Sequence, residues 1–309
     1  MRTGGLAGLA FLVFVPGFAS ASDALDMLNR AARAAHTLNY TGLYVYQHGE
    51  HVELLKVIQR VDASGEKNKV EVIDGPHRIF LRLNDDVYCH SADGKTVRLE
   101  KGTARRFFPA VLPSVPASLL DHYTAQIGEV ERVAARECQD VLLAPRDDYR
   151  FTHTICIDRR TGLPLKTRTI NDMGSPISSS TFTEVNIGDI PDMHLFVPQL
   201  AGKHIETADS AVTSANWDVS PPPGYVQVMQ SHRPLRGKSQ PVTQIVFSDG
   251  MGAISLFIEP IPEGQSMEGL STEGSIGIYA HHLGDTKVTT VGEAPAAALI
   301  ETGNSVHSK

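Results

Sequence analysis

Short runs of β-branched and aromatic residues, separated at regular intervals by turn residues, dominate the first half of this chain. Two of these runs, Tyr40–Tyr46 and Val52–Val61, flank a turn at Gly49. Alternation of this length is typical of β-strands, and Gly, Pro, Asn and Asp between the runs are typical of tight turns. The pattern therefore predicts an antiparallel meander. Further runs of the same kind are Val70–Ile73, Ile79–Leu83 and Val87–Cys89.

A polar segment without periodicity, residues 198–216, divides the predicted strands into two groups. Segments of this composition link domains, and a chain of 309 residues is too long for one typical core. We expect a large N-terminal domain over 22–200, a linker over 201–215 and a small C-terminal domain over 216–309. The predicted fold class is a β-rich α+β fold. Helices are predicted at 23–37, 117–123 and 295–302.

The first 21 residues have the features of a cleaved export signal. Arg2 supplies a charge, an apolar run covers Leu6–Phe18, and Ala19-Ser20-Ala21 offers the small residues that a leader peptidase reads. The run is too short to cross a bilayer core of about 30 Å as a helix. The alternative is an ordinary buried N-terminal helix. We expect the mature chain to begin near Ser22, in an oxidising compartment outside the cytoplasm.

Charge and motif content argue against several classes of function. The formal net charge of −7 at pH 7 is opposite to the basic face that nucleic acid requires. His48 with His51, and His281 with His282, lack the spacing of a zinc site. The sequence contains neither a Gly-x-Ser-x-Gly elbow nor a glycine-rich phosphate loop. We expect no metal, no cofactor, no nucleic-acid partner and no catalytic residue, with an unrecognised hydrolase site as an alternative.

Two of the three cysteines are predicted to form a disulfide. A hairpin register that pairs Leu143 with Phe151 also places Cys138 opposite Cys156. Opposed residues on neighbouring strands are close enough for a disulfide, which persists in an oxidising compartment. We predict a Cys138–Cys156 disulfide and an unpaired thiol at Cys89.

The segment 107–116 is apolar and contains three prolines, so it is not an interior strand. One interpretation is a mobile cover over a pocket on the concave face of the sheet, into which acyl chains enter. The other is that its side chains complete the core, and the sequence leaves both open. The residues predicted to contact lipid are Phe107, Phe108, Val111, Leu112, Leu119 and Leu120.

Several short motifs, taken in their order along the chain, resemble one known family. The clearest are in the C-terminal part, where Tyr225–Pro234 follows Trp217–Gly224 and precedes Phe247–Gly250 and Val291–Glu293. Nearer the N-terminus, Cys156–Leu165 matches a strand–turn–strand segment of that family, and Asp74–Pro76 matches a turn in its first sheet. Together they resemble the MucB/RseB family of periplasmic regulators of envelope-stress sigma factors, over roughly 23–305.

The resemblance implies a fold and a function. The family's N-terminal domain is similar to the outer-membrane lipoprotein carrier fold, a curved antiparallel sheet with helices on its concave face and an apolar cavity. The smaller domain contacts the periplasmic region of a membrane-spanning anti-sigma factor and shields it from a site-1 protease. Lipopolysaccharide or another acyl lipid releases the regulator. No enzymatic activity is implied; a periplasmic lipid or lipoprotein carrier is the alternative, and homo-oligomerisation stays open.

The predicted partner surface lies at the start of the small domain. Trp217 is the only tryptophan, Tyr225 follows it closely, and Arg233 and Arg236 come next. Aromatic and arginine side chains dominate binding hot spots, so we predict that these four residues contact the anti-sigma segment. The other interpretation is that Trp217 anchors the core of the small domain.

Overall fold

The computed structural model describes most of the chain after the predicted signal. The described ranges are 21–84, 86–91, 96–99, 107–196, 205–207, 217–234, 240–261, 268–273 and 275–308. The predicted signal up to residue 20, and Arg236 of the predicted partner surface, lie outside them. Within these ranges no helix is long and apolar enough to cross a membrane.

In the described part of the chain, twelve strands form one large sheet, and nearly all neighbours in it are antiparallel, which confirms the predicted meander. The order across the sheet is β12-β6-β5-β4-β3-β2-β1-β11-β10-β9-β8-β7. The strands are β1 (Tyr40–His48), β2 (His51–Asp62), β3 (Gly65–Asp74), β4 (Arg78–Leu83), β5 (Asp86–Ser91), β6 (Thr96–Leu99), β7 (Tyr123–Val133), β8 (Arg136–Pro145), β9 (Thr152–Asp158), β10 (Pro164–Ile170), β11 (Pro176–Ile187) and β12 (Ile205–Thr207).

The large sheet is strongly curved. Strands β7 and β11 lie in contact although β8, β9 and β10 separate them in the sheet. Helix α1 (Ala21–Thr37) packs on β7 and β8 inside this curve. It is alanine-rich, which favours a helix, and its acidic Asp23 lies in the first turn, where the helix dipole favours negative charge. Its buried side chains share one face: Ala24, Leu28, Ala31, Ala32, Ala34 and Ala35.

Part of the predicted linker belongs to the large sheet. Ile205–Thr207 pairs with β6 in parallel, with Ile205 opposite Thr96. The remainder of residues 201–215 lies outside the described ranges. The domain limits given above stay a prediction.

Within its described residues, the small domain is a six-stranded antiparallel sheet covered by one helix, α2 (Ala296–Asn304). The sheet order is β14-β15-β16-β19-β18-β17, and β13 pairs with β20 beside it. The sequence analysis indicated neither β17 nor β18. Every residue of β17 is exposed, so alternation of buried and exposed side chains is absent there. The strands are β13 (Trp217–Asp218), β14 (Val226–Pro234), β15 (Pro241–Ser248), β16 (Ala253–Pro260), β17 (Gly269–Glu273), β18 (Ile276–Leu283), β19 (Thr286–Gly292) and β20 (His307–Ser308).

The predicted disulfide is present, although the register that predicted it is wrong. Cys138 and Cys156 are bonded, with their Cα atoms 5.3 Å apart. Leu143 lies opposite His153, not Phe151, because the loop between β8 and β9 is longer than expected. A shift of two residues keeps every side chain on its face of the sheet, so the two cysteines remain diagonal neighbours.

Cys89 is a free thiol, as predicted. It is half-buried on β5, and burial raises the pKa of the thiol, opposed by the charge of Arg78. A thiol with a raised pKa is protonated at neutral pH and is a weak nucleophile.

Candidate functional site

The apolar residues 107–121, which we call the lid segment, pack into the concave side of the large sheet. Phe108, Leu112 and Leu119 are 4%, 4% and 1% exposed. The ring of Phe108 lies 5.0 Å from that of Tyr44 and 4.8 Å from that of Phe182, measured between centroids. The lid segment therefore forms part of the core in this structure. The other predicted lipid contacts, Phe107, Val111 and Leu120, are partly buried against the same clusters.

A small cavity remains beside the first residue of the lid segment. Its volume is about 20 Å³, which is room for about one water molecule. An acyl chain needs far more space, so it could enter only if the lid segment moved. The cavity is lined by Glu66, Asn68, Phe80, Arg82, Val87, Phe107 and Ala110.

The cavity has both polar and apolar walls. The rings of Phe80 and Phe107 are 4.5 Å apart between centroids. Burial alone would raise the pKa of Glu66, but hydrogen bonds from His36 and Gln59 bring it below its usual range. Arg82 forms no ion pair within the described residues, but its positive charge also helps to lower the pKa of Glu66, so the cavity wall carries one positive and one negative side chain.

The two domains meet at a buried ion pair. Arg150, in the loop between β8 and β9, places its Nε 3.0 Å from Oδ2 of Asp249, in the turn between β15 and β16. The two side chains are 0% and 1% exposed. The hydroxyl of Tyr123 donates a hydrogen bond of 2.8 Å to the same carboxylate oxygen. We call Tyr123, Arg150, Tyr225 and Asp249 the interdomain joint.

Aromatic and backbone contacts complete the joint. The guanidinium carbon of Arg150 lies 5.0 Å from the ring centroid of Tyr225, and its Nη2 donates to the carbonyl of Pro223. The Tyr225 hydroxyl donates to the carbonyl of Tyr149 at 3.0 Å. Burial, and then the charge of Asp249, raise the pKa of the Tyr225 hydroxyl, so it stays a donor.

Both domains match family models, and the matches cover almost all of the chain. Residues 23–208 match the MucB/RseB N-terminal domain, and residues 211–307 match the MucB/RseB C-terminal domain. The chain belongs to the MucB/RseB family. This confirms the resemblance seen in the motifs. The family consists of regulatory binding proteins and not of enzymes, so the expected absence of catalytic activity is confirmed by membership.

Curated relatives are similar over most of their length. The chain is 28% identical over 301 residues to the sigma factor AlgU regulatory protein MucB of Pseudomonas aeruginosa, covering 93% of this chain and 91% of that protein. It is 21% identical over 275 residues to the sigma-E factor regulatory protein RseB of Haemophilus influenzae, covering 86% and 85%.

Solved structures of MucB share the fold. The MucA/MucB complex of Pseudomonas aeruginosa has a TM-score of 0.76 at 24% identity, covering 93% of this chain and 99% of that chain. MucB in complex with MucA(peri) has a TM-score of 0.74 at 23% identity, with the same coverage. These likenesses confirm the two-domain, β-rich α+β fold of the MucB/RseB family.

The predicted partner residues of this MucB/RseB-family chain are only partly described. Trp217 and Tyr225 belong to the core cluster of the small domain, where Trp217 is half-buried. Arg233 lies on β14, but its side chain is outside the described part of the chain, as is all of Arg236. The core interpretation of Trp217 therefore has direct support, and partner contact stays a proposal.

The joint itself was missed by the sequence analysis. Asp249 was noticed only within the family-like stretch Phe247–Gly250, and Arg150 was not singled out. Asp is ordinary in turns, so its presence there carried no signal. Their proximity depends on how the two domains pack, which no local pattern encodes.

His153 lies buried next to the joint. Its ring is 6.0 Å from that of Tyr123 between centroids, and its Nδ1 is hydrogen-bonded to the Thr169 hydroxyl at 3.3 Å. Burial lowers the pKa of His153 to about 4, against the opposing charge of Asp249. The imidazole is therefore neutral at physiological pH.

Proposed function

We propose that this MucB/RseB-family protein is a periplasmic regulator that binds the periplasmic region of a membrane-spanning anti-sigma factor. The observation that carries the proposal is the match of both family domains in their expected order along the chain. The crystal structure of its relative MucB in complex with MucA(peri) supports it. Export to the periplasm fits the N-terminal signal pattern, and the Cys138–Cys156 disulfide fits an oxidising compartment.

The partner surface in this proposal is the small domain. An anti-sigma segment that is disordered when free must bury apolar surface to offset its ordering cost. Val226 and Val228 are exposed large apolar residues on β14, an edge strand of the small sheet. They lie on the same strand as Arg233 and next to Tyr225. We propose that the bound segment is thereby shielded from site-1 proteolysis.

The ligand that releases the regulator is, in this proposal, an acyl lipid with an acidic headgroup, such as lipopolysaccharide. The lid segment offers apolar side chains, and the wall of the adjacent cavity offers the positive charge of Arg82, which lies near the carboxylate of Glu66. A single buried methylene group is worth about 0.8 kcal/mol, so part of an acyl chain suffices for useful affinity. The acyl chain would take the place of Phe107 and its neighbours on the sheet.

Calorimetry on the mature protein tests the proposal. The titrant is a peptide covering the periplasmic region of the anti-sigma factor from the same organism, and palmitoyl lysophosphatidylglycerol is the lipid probe. We expect the peptide to bind, and the lipid to weaken that binding. Failure of the peptide to bind would contradict the proposed regulatory function. Lipid binding in the absence of peptide binding would favour the lipid or lipoprotein carrier instead.

A further inference from the structure

The small domain touches the large domain through the lid segment as well as through the joint. In the 248–252 turn, Gly250 approaches the lid closely: a Cβ atom built on it would lie 3.2 Å from Cδ2 of Leu119 and 3.6 Å from Cγ of Pro113. Met251 of the same turn packs against the buried cluster that contains Leu119. The lid segment is therefore a direct contact surface for the small domain.

The same turn is organised around the buried carboxylate of the joint. Oδ1 of Asp249 accepts hydrogen bonds from the backbone N–H groups of Met251 and Gly252, at 2.9 and 2.7 Å. Its Oδ2 faces Tyr123 and Arg150 of the large domain. The lid segment ends in a 3₁₀ helix, Pro116–Asp121, and Tyr123 begins β7 two residues later. Movement of the lid segment would therefore disturb the partners that keep this carboxylate buried.

The other end of the lid segment closes the cavity. Phe107 and Ala110 line it, and Phe108 is in the core directly behind them. Because the cavity is about the size of one water molecule, any larger ligand has to displace these residues. A buried charge that loses its partners becomes unfavourable unless water reaches it. When the carboxylate of Asp249 loses its partners, we therefore expect the joint to open and admit water.

We infer that the lid segment couples the concave face of the large domain to the interdomain joint, so that a ligand which displaces the lid opens the joint at the 248–252 turn. The inference rests on the proposed function. It states how the response to lipid would pass from the large domain to the small domain. It assigns the regulatory movement to the contact of Leu119 and Pro113 with Gly250, and not to the linker.

Hydrogen exchange of the backbone amides measures this opening directly. The amides of Met251 and Gly252 are hydrogen-bonded to Asp249, so their exchange reports on the joint. The probe is palmitoyl lysophosphatidylglycerol, added to the full mature protein carrying Cys89→Ser. We expect exchange to rise about tenfold or more in the lid segment and in the 248–252 turn together. No change in either segment, or a change in the lid segment alone, would overturn the inference.

A covalent tether provides the decisive variant. The Cβ atom of Pro113 lies 3.9 Å from a Cβ built on Gly250, which is within the range of a disulfide. In the oxidised double variant Pro113→Cys/Gly250→Cys, we expect the lipid to change neither the exchange of the turn nor the affinity for the anti-sigma peptide. The double variant Pro113→Ser/Gly250→Ser, which has the same backbone strain at position 250 but cannot form the bond, is the matched control and should still respond to the lipid. A lipid response of the turn in the tethered protein equal to that of the parent would refute the coupling.

A second variant avoids substituting Gly250, whose φ of +100° strains any other residue. Tyr123→Phe removes only the hydroxyl that bonds Asp249. Without any ligand, we expect exchange of the Met251 and Gly252 amides to rise about fivefold, while strands β2 and β3 keep their protection. Unchanged exchange of the turn would contradict the coupling. If the anti-sigma peptide fails to bind the parent protein, the proposed function falls, but these exchange measurements still decide the inference.

Discussion

Arg150 of the large domain and Asp249 of the small domain form an ion pair from which water is excluded, and it joins residues that no local sequence pattern connects. A buried charge that keeps its partner is tolerated, whereas one that loses its partner is strongly destabilising. Arg150 also forms an ion pair with Asp147 of its own loop, so Asp249 adds the small domain to a charge cluster that begins in the large domain.

Replacing the carboxylate of this pair should destabilise the whole protein. Asp249→Asn removes the interdomain carboxylate from Arg150, which then keeps only its ion pair with the more exposed Asp147, and we expect the free energy of unfolding to fall by about 3 kcal/mol. Urea denaturation measures the change. Asp172→Asn, at an exposed turn position, is the control and should have almost no effect. Equal stabilities of the two variants would contradict the importance of the joint.

The disulfide should be the main covalent contribution to stability. It closes a loop with a sequence separation of 18, and chain-entropy reasoning assigns about 3 kcal/mol to such a loop. We expect Cys138→Ser/Cys156→Ser to lose about that much stability and Cys89→Ser to lose little. Non-reducing peptide mapping of the native protein should recover the Cys138–Cys156 pair; a bridge that contains Cys89 would refute the pairing.

The positive charge of Arg82 in the cavity wall should favour acidic lipids. Arg82→Gln removes a half-buried guanidinium that forms no ion pair within the described residues and acts on Glu66 only through its charge, so the fold should remain intact. We expect the affinity for palmitoyl lysophosphatidylglycerol to fall about tenfold, since a charge-assisted hydrogen bond is lost. Affinity for the uncharged lipid monopalmitoylglycerol should not change. Arg132→Gln, on the exposed surface, is the control, and an equal loss in it would argue against a headgroup site at Arg82.

Lid residues with fully buried side chains are unsuitable for testing lipid binding. Asp at Leu112 or Leu119 would place a carboxylate in the core, where burial of an unpaired charge is unfavourable. We expect Leu119→Asp to unfold the large domain, as circular dichroism would show. Phe107→Ser, at the cavity wall, should leave the fold intact and change lipid affinity. A folded Leu119→Asp protein would mean that the lid segment is not part of the core.

His153 should make stability depend on pH in the mildly acidic range. Its pKa is about 4 in the folded protein, against about 6.5 in the unfolded chain, because burial disfavours the charged imidazole. The unfolded chain therefore binds the proton first as the pH falls, and stability is lost between pH 6.5 and 4, by about 2–3 kcal/mol. Urea unfolding at pH 7 and 4.5 should show a smaller difference in His153→Gln than in the parent. The same difference in both proteins would exclude this role of His153.

The partner surface can be tested by reversing one charge on β14. Arg233→Glu should weaken binding of the anti-sigma peptide about tenfold or more if this arginine is a hot spot. Arg33→Glu, on the exposed side of α1, is the matched control and should bind normally. Calorimetry with the mature proteins compares the two. Unchanged affinity in Arg233→Glu would move the partner surface away from this strand.

The sequence predicts those parts of the fold that depend on local chemistry. Alternating residues predicted β1 to β5, and alanine periodicity predicted α1, because burial of one face determines both patterns. The register of the β8–β9 hairpin was wrong, since the length of its loop has no clear local signal. The burial of Phe108 and Leu119 depends on the curvature of the sheet. The contact of Arg150 with Asp249 depends on domain packing, so it became visible only in the structure.

Protection from proteolysis tests the central claim most directly. The measurement is the rate at which the membrane-anchored site-1 protease cleaves the periplasmic region of the anti-sigma factor, with and without the mature protein. We expect cleavage to be slow when the protein is present in excess, and to recover when palmitoyl lysophosphatidylglycerol is added. Cleavage at the same rate with and without the protein would contradict the account.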